Sequence, residues 1–161
     1  MGETARLSRT FAWGAAGGGL GLQAGGASHG PGVRHLNAGK VRPTGLPFSE
    51  AVRVGNTVYL SGQLGNVPGP GPIKLAPGGM AGEAKQVMDN IQTALQAHGL
   101  SMADVVKCTV MLTDMADWPA FNEIYRGYFT AGRFPARSAF GANGLAFNAR
   151  VELECIAARG R

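Results

Sequence analysis

The chain contains 161 residues with a mass of 16.6 kDa, which fits one domain with an appendage rather than two domains. Apolar residues make up 45% of the sequence, enough to bury an ordinary core, so a wholly disordered chain is excluded. Of the net charge of +5, +4 falls within residues 1–42, and the remainder lacks the concentrated basic stripe of a nucleic-acid surface. No apolar run reaches the roughly 18–20 residues that span a bilayer, so we expect no membrane partner.

Residues 1–36 form a low-complexity tail that holds ten of the 26 glycines, and we assign residues 37–161 to a single folded domain. The tail fits three interpretations: a disordered appendage, a secretory signal or an organelle transit peptide. Arg6 and Arg9 would begin a signal, followed by a degenerate apolar stretch over 11–22 and a small-residue cleavage site at 25–27. The cellular location is cytoplasmic by default, with export or organelle targeting left open by residues 1–27.

The domain begins with a predicted β-hairpin. Residues 51–54 and 57–61 are rich in strand-forming residues, and Gly55 and Asn56 between them tolerate the positive φ of a two-residue turn. A loop rich in proline and glycine follows over 67–79 and predicts no regular structure.

Two helices and three more strands complete the predicted fold. An apolar stripe at three- and four-residue spacing predicts a helix over 81–98 that stops before Gly99, and a β-branched run predicts a strand over 105–112. Asp117 and Pro119 predict the start of a second helix, whose inner face is expected to consist of Phe121, Ile124, Tyr125 and Tyr128. Further strands are expected over 136–140 and 150–157.

The order ββαβαββ predicts an α+β fold, a mixed sheet with two helices on one face. The other sheet face is then either polar or covered by a second copy of the chain.

Standard catalytic and metal-binding patterns are absent from the sequence. It contains no P-loop, dinucleotide-binding, zinc-protease or nucleophile-elbow motif. Its two cysteines, Cys108 and Cys155, lie in apolar strand-like stretches without metal-ligand spacing, and we expect two buried thiols.

Several polar and aromatic residues remain as candidates for a site. Arg137 lies in a predicted strand, where its permanent charge needs either an ion pair with Glu152 or Glu154, or a cavity that receives an anion. Glu152 either faces solvent or positions a water molecule. Trp118 and Asn122 lie one helical turn apart, and Trp118 and Phe48 are either core aromatics or pocket walls.

Four stretches, over 46–52, 55–63, 121–125 and 134–138, resemble signature segments of the Rid (YjgF) family of reactive-intermediate imine deaminases. The resemblance runs from about Leu46 to Ala158. It implies a chorismate-mutase-like subunit in a homotrimer, with the sheets forming a central barrel and clefts at the subunit interfaces. It also implies hydrolysis of imines and enamines such as 2-aminoacrylate and 2-iminobutanoate, released by pyridoxal-phosphate enzymes, to 2-oxo acids and ammonia. No metal or organic cofactor is implied.

The same resemblance assigns roles to individual residues. Arg137 matches an arginine that holds the substrate carboxylate, and Glu152 matches a glutamate that orients water. Trp118 and Asn122 align with an aromatic wall and a cleft asparagine. Phe48 stands where many members have tyrosine, and Ala139 where many have cysteine. The missing thiol argues against a nucleophilic cysteine.

Two alternatives to the deaminase remain open at this point. One is a non-catalytic trimer that binds a small carboxylate in the same cleft, which the departures at Phe48 and Ala139 leave possible. The other is the ribonuclease or translation-inhibitor activity also attributed to the family. The near-neutral domain argues against this second alternative.

Overall fold

The computed structural model describes residues 32–160. The targeting segment predicted over 1–27 lies outside the described residues, as does most of the predicted tail. The described chain forms seven strands and two α-helices in the order β1 (Val33–Leu36), β2 (Ala51–Val54), β3 (Thr57–Leu60), β4 (Gln63–Leu64), α1 (Gly79–Ala97), β5 (Val105–Leu112), α2 (Trp118–Arg126), β6 (Ala136–Gly141) and β7 (Val151–Ala158).

The strands form one mixed sheet, and the predicted α+β class is confirmed. The strand order is β1-β2-β3-β7-β5-β6, with β4 also paired to β7. The β5–β6 pair is parallel and the other pairs are antiparallel. The chain has two strands more than predicted, β1 and β4. β1 lies within the segment assigned to the tail. The sequence did not indicate it, because a strand of four residues forms here only by pairing with β2.

Local sequence signals place most element boundaries within two residues. The β2–β3 hairpin pairs Val54 with Thr57, and Gly55 has the positive φ of 58° that its turn requires. α1 begins at Gly79 instead of 81 and ends two residues before Gly99. α2 begins at Trp118 with Pro119 in its first turn, but the side chain of Asp117 makes no capping hydrogen bond.

The core lies between the helices and one face of the sheet. The predicted stripe of α1 is fully buried, and the alternate residues of β5 and β7 pack against it. These residues are Ala84, Val87, Met88, Ile91, Ala94, Leu95, Cys108, Val110, Leu112, Val151, Leu153, Cys155 and Ala157.

The second face of the sheet stays open in the single chain. Within residues 32–160 both α-helices belong to the first face. The open face carries charged side chains such as Glu154 together with large apolar ones. Tyr59 and Phe140 are 47% and 49% exposed, so this face is neither wholly polar nor covered.

The expectation of two buried thiols is wrong, because the structure joins Cys108 and Cys155 in a disulfide. Both residues are buried as predicted, at 1% and 2% exposure. They are directly opposite each other in the β5–β7 register, with Cα atoms 4.1 Å apart. The periodicity of each strand is visible in the sequence, but the register between strands is not.

Candidate functional site

The guanidinium of Arg137 lies on the helix side of the sheet. Arg137 pairs in register with the buried Cys108, so its side chain points toward α2. There it donates a hydrogen bond of 2.7 Å to Asn122 Oδ1. Its guanidinium carbon lies 5.2 Å from the ring centroid of Trp118 and 4.6 Å from that of Tyr125. The structure therefore brings together three of the predicted site residues, Arg137, Asn122 and Trp118.

No carboxylate in the described part of the chain lies within 4.0 Å of the Arg137 guanidinium. The alternative ion pair with Glu152 or Glu154 is therefore absent from the single chain. The guanidinium instead borders an open depression. The depression is lined by Asn122, Tyr125, Arg126, Phe134, Pro135 and Arg137. This arrangement presents a fixed cation to an incoming anion.

Tyr125 belongs to this cluster, although the sequence indicated only a core position on α2. Tyr125 is 4% exposed, and its hydroxyl is buried without a hydrogen-bond partner. Burial raises the pKa of the Tyr125 hydroxyl, and the nearby Arg137 charge opposes that rise. Its spacing of three residues from Asn122 was the available signal, since such residues share a helix face.

Ala139 lies two residues after Arg137 and therefore on the same face of β6. It is partly buried and packs against the core. Together, Trp118, Asn122, Tyr125, Arg137 and Ala139 are called the cation half-site below.

Glu152 lies on the opposite face of the sheet. Its neighbours Val151 and Leu153 are fully buried on the helix side, so the half-buried Glu152 side chain points away from the helices. Gly62 lies against it, because a Cβ built there would overlap Glu152 Oε1. Burial raises the pKa of the Glu152 carboxyl, Arg42 opposes this rise, and Glu154 adds to it.

Arg42 lies close enough to Glu152 to affect its charge, and Phe48 lies next to Arg42 in the same segment before β2. Arg42 Nη2 donates a hydrogen bond to the Gly62 carbonyl, and its guanidinium lies 5.8 Å from the Phe48 ring centroid. No sequence pattern indicated Arg42, because it lies in an irregular segment whose neighbours are determined only by the fold. Arg42, Phe48, Gly62 and Glu152 are called the carboxylate half-site.

The structure does not bring Arg137 and Glu152 together within one chain. They lie on strands separated by β5 and on opposite sheet faces. The six predicted site residues therefore divide into two groups.

Among residues 32–160, no group of three or more side chains could hold a metal ion, and neither α-helix is long and apolar enough to cross a membrane.

The fold and the two half-sites define a class: an α+β protein with an unneutralised cation on one sheet face and a half-buried carboxylate on the other. The chain belongs to the Rid (YjgF) family. The family model described as Endoribonuclease L-PSP matches residues 40–159, which confirms the family resemblance.

Relatives and solved structures are similar to this chain over most of its length. A goat (Capra hircus) protein named 2-iminobutanoate/2-iminopropanoate deaminase is 46% identical over 129 residues, covering 80% of this chain and 92% of its own. The human protein of the same name is 44% identical, covering 71% and 81%. The crystal structure of the YjgF gene product from E. coli has a TM-score of 0.71 at 31% identity, covering 79% and 99%.

Proposed function

We propose that the protein hydrolyses 2-imino acids and their enamine tautomers to 2-oxo acids and ammonia. Substrates of this kind are 2-aminoacrylate and 2-iminobutanoate, released by pyridoxal-phosphate enzymes. The observation that carries the proposal is the Arg137 guanidinium, held against Asn122 and two aromatic rings with no carboxylate within 4.0 Å in the described chain. The similarity to relatives named 2-iminobutanoate/2-iminopropanoate deaminase supports the same reaction.

In this proposal, Arg137 binds the substrate carboxylate. A guanidinium has five N–H donors in a planar fork that matches the two oxygens of a carboxylate. One nitrogen donates to Asn122, and the guanidinium lies against the rings of Trp118 and Tyr125. A small imino acid held by this fork has its C=N carbon next to the carboxylate, so binding also orients the reacting atom.

Glu152 acts as the general base in this proposal. Its carboxylate accepts a proton from a water molecule as the water oxygen attacks the C=N carbon. The C=N electron pair moves onto nitrogen, which takes that proton back from Glu152. The resulting carbinolamine then passes its O–H proton through Glu152 to the nitrogen, so ammonia leaves as the C–N bond breaks and C=O forms. One imine and one water thus give one 2-oxo acid and one ammonia. General-base catalysis of this kind contributes typically 10²–10⁴-fold.

Two copies of the chain are needed to complete such a site. Since Arg137 and Glu152 lie on opposite sheet faces, one chain supplies the cation half-site and a neighbour supplies the carboxylate half-site. Cyclic packing places identical half-sites at every interface. The open sheet face carries the exposed apolar residues Tyr59 and Phe140, which supports the burial of this face between copies of the chain. We therefore propose a homotrimer with three interfacial sites.

The alternative is a non-catalytic trimer of the same family that binds a small carboxylate. Phe48 has no hydroxyl and Ala139 has no thiol, so two groups present in many relatives are missing from this cleft. A binding protein would gain thermal stability from a 2-oxo acid without shortening the lifetime of an imine.

The test generates 2-aminoacrylate with a pyridoxal-phosphate dehydratase and follows 2-oxo acid formation. Arg137→Ala should lower kcat/KM by roughly 100-fold or more, because the charged partner of the carboxylate is lost. The matched control is Arg133→Ala, since Arg133 is an exposed arginine in the loop before β6. Equal rates for Arg137→Ala and the parent would contradict the carboxylate-binding role.

A further inference from the structure

Arg42 is a half-buried cation that the reaction described above leaves without a role. It lies in the segment before β2, and its side chain is fixed at two points. One guanidinium nitrogen donates to the Gly62 carbonyl, and the guanidinium lies 5.8 Å from the Phe48 ring centroid. Its Nε atom is buried without a hydrogen-bond partner. A guanidinium held in this way is unlike an exposed surface arginine, because its position is set before any ligand arrives.

Gly62 connects this cation to the proposed base. Arg42 contacts the carbonyl of Gly62, and Glu152 Oε1 lies where a side chain at Gly62 would begin. No cation in the described chain lies within 4.0 Å of the Glu152 carboxylate. Both oxygens of Glu152 thus remain free of ion pairs, while Arg42 stays close enough to affect their charge.

The charged groups around Glu152 are few. Arg42 faces it from the segment before β2, and Glu154 repels it from the same strand. Glu50, the residue before β2, acts on Arg42. Half-burial disfavours the charged form of a carboxyl, and Glu154 adds to that effect. The charge of Arg42 opposes this effect on Glu152.

We propose that Arg42 is a positioning residue for hydrolysis: its guanidinium, fixed on the Gly62 carbonyl and the Phe48 ring, is the counter-cation that keeps the Glu152 carboxylate charged at the cleft. This inference rests on the proposed function, because it assigns Arg42 a role through Glu152. It also explains why the cation contacts Gly62 and not the carboxylate directly, since a direct ion pair would occupy the oxygens that must accept the proton from water.

The experiment measures kcat/KM against pH for the full chain. Arg42→Gln removes the charge and keeps a donor for the Gly62 carbonyl, whereas Arg42→Lys keeps the charge. We expect Arg42→Gln to move the acid limb of the profile upward by about 1 pH unit or more, because a nearby opposite charge typically lowers a carboxyl pKa by 1–3. The rate of Arg42→Gln should approach the parental rate at high pH. Arg42→Lys should have its acid limb at the same pH as the parental protein.

The matched control is Arg53→Gln. Arg53 is also an arginine bound to a backbone carbonyl, donating 2.7 Å to the His98 oxygen, and it is not among the charges that act on Glu152. The acid limb of the Arg53→Gln profile should therefore lie at the same pH as in the parental protein. A uniform rate loss at every pH in Arg42→Gln would assign Arg42 a purely structural role and overturn the proposal.

A second measurement separates this inference from the proposed function. The ¹³C chemical shift of the Glu152 carboxyl, followed by NMR against pH, reports its titration without any turnover. Arg42→Gln should raise the titration midpoint by the same amount as the kinetic limb. If Glu152→Gln keeps full activity, the base role fails, yet the NMR titration still tests Arg42. If Glu152→Gln is inactive but Arg42→Gln leaves the midpoint unchanged, only the Arg42 proposal fails.

Discussion

The cation half-site and the carboxylate half-site balance charge in opposite ways. Arg137 is held by an amide and two aromatic rings, and no carboxylate neutralises it in the described chain. Glu152 is half-buried, with Arg42 nearby. An unneutralised cation is suited to bind an external anion, whereas a carboxylate near a fixed cation is suited to exchange a proton. In the proposed reaction, this difference corresponds to one group that binds the substrate and one that performs the chemistry.

The two half-sites also differ in their position in the fold. The cation half-site is built on β6 and α2, on the side of the sheet that carries the core. The carboxylate half-site is built on β7 and the segment before β2, on the open side. A single chain therefore cannot complete the proposed site, and this separation gives the sharpest tests.

The largest expected effect comes from mixing two inactive variants. Arg137→Ala and Glu152→Gln should each be nearly inactive alone. Unfolded together and refolded as an equal mixture, they should recover about one quarter of the parental activity, because random assembly gives that fraction of interfaces with both intact residues. The measurement is 2-oxo acid formation before and after mixing. No recovery in co-assembled oligomers would place both residues in one copy and contradict the two-chain site.

The next largest effect is expected for Glu152→Gln alone. Removal of the base should lower kcat by roughly 100-fold or more. The parental rate should fall as the pH decreases through the Glu152 pKa, because protonation removes the base, and burial places that pKa above its ordinary value. The variant should lose this acid limb. If the Glu152→Gln variant keeps the acid limb of the pH profile, the titration belongs to another group.

A smaller effect should separate two changes at Asn122. Asn122→Ala removes the hydrogen bond that orients Arg137, and we expect a KM increase of about 10-fold, equivalent to about 1.4 kcal/mol. Asn122→Asp places a carboxylate at the same distance and should increase KM further, because it neutralises the cation internally. A gain of affinity in Asn122→Asp would show that an unneutralised Arg137 is not what binds substrate.

The smallest effect on activity is expected for the disulfide between β5, the strand that separates the two half-sites, and β7, which carries Glu152. Replacing Cys108 and Cys155 by alanine should lower the free energy of unfolding by about 4 kcal/mol, since the bridge closes a loop of 47 residues. The kcat/KM at 25 °C should change less than about twofold. Urea unfolding with and without a reductant measures this, and the reductant should have no effect on the double variant.

Local patterns were sufficient to predict both helices, the hairpin and the class of the fold. The stripe of α1 and the turn at Gly55 are properties of a few neighbouring residues, so their spacing alone indicates them. β1 and β4 were missed because they are short and form only against strands that are distant in sequence. The disulfide was missed for the same reason, because register decides which residues face each other.

The candidate site was predictable only in part. Trp118 and Asn122 were expected to share one helix face, and the structure places both next to Arg137. Tyr125 was assigned to the core, although its ring also lies against the Arg137 guanidinium. Arg42 was missed because its contact with Gly62 joins residues 20 positions apart in irregular segments, where no periodicity exists.

The sequence by itself determined which residues carry charge, which faces are apolar, and hence the α+β class and the main candidates Arg137 and Glu152. These properties depend on side-chain chemistry and on spacing along a helix or strand. Only the tertiary structure decided that these two residues lie on opposite faces of the sheet, that Arg42 accompanies Glu152, and that the two cysteines are joined. Those facts depend on strand register and on segments that meet through packing, where distance in space is independent of distance in sequence.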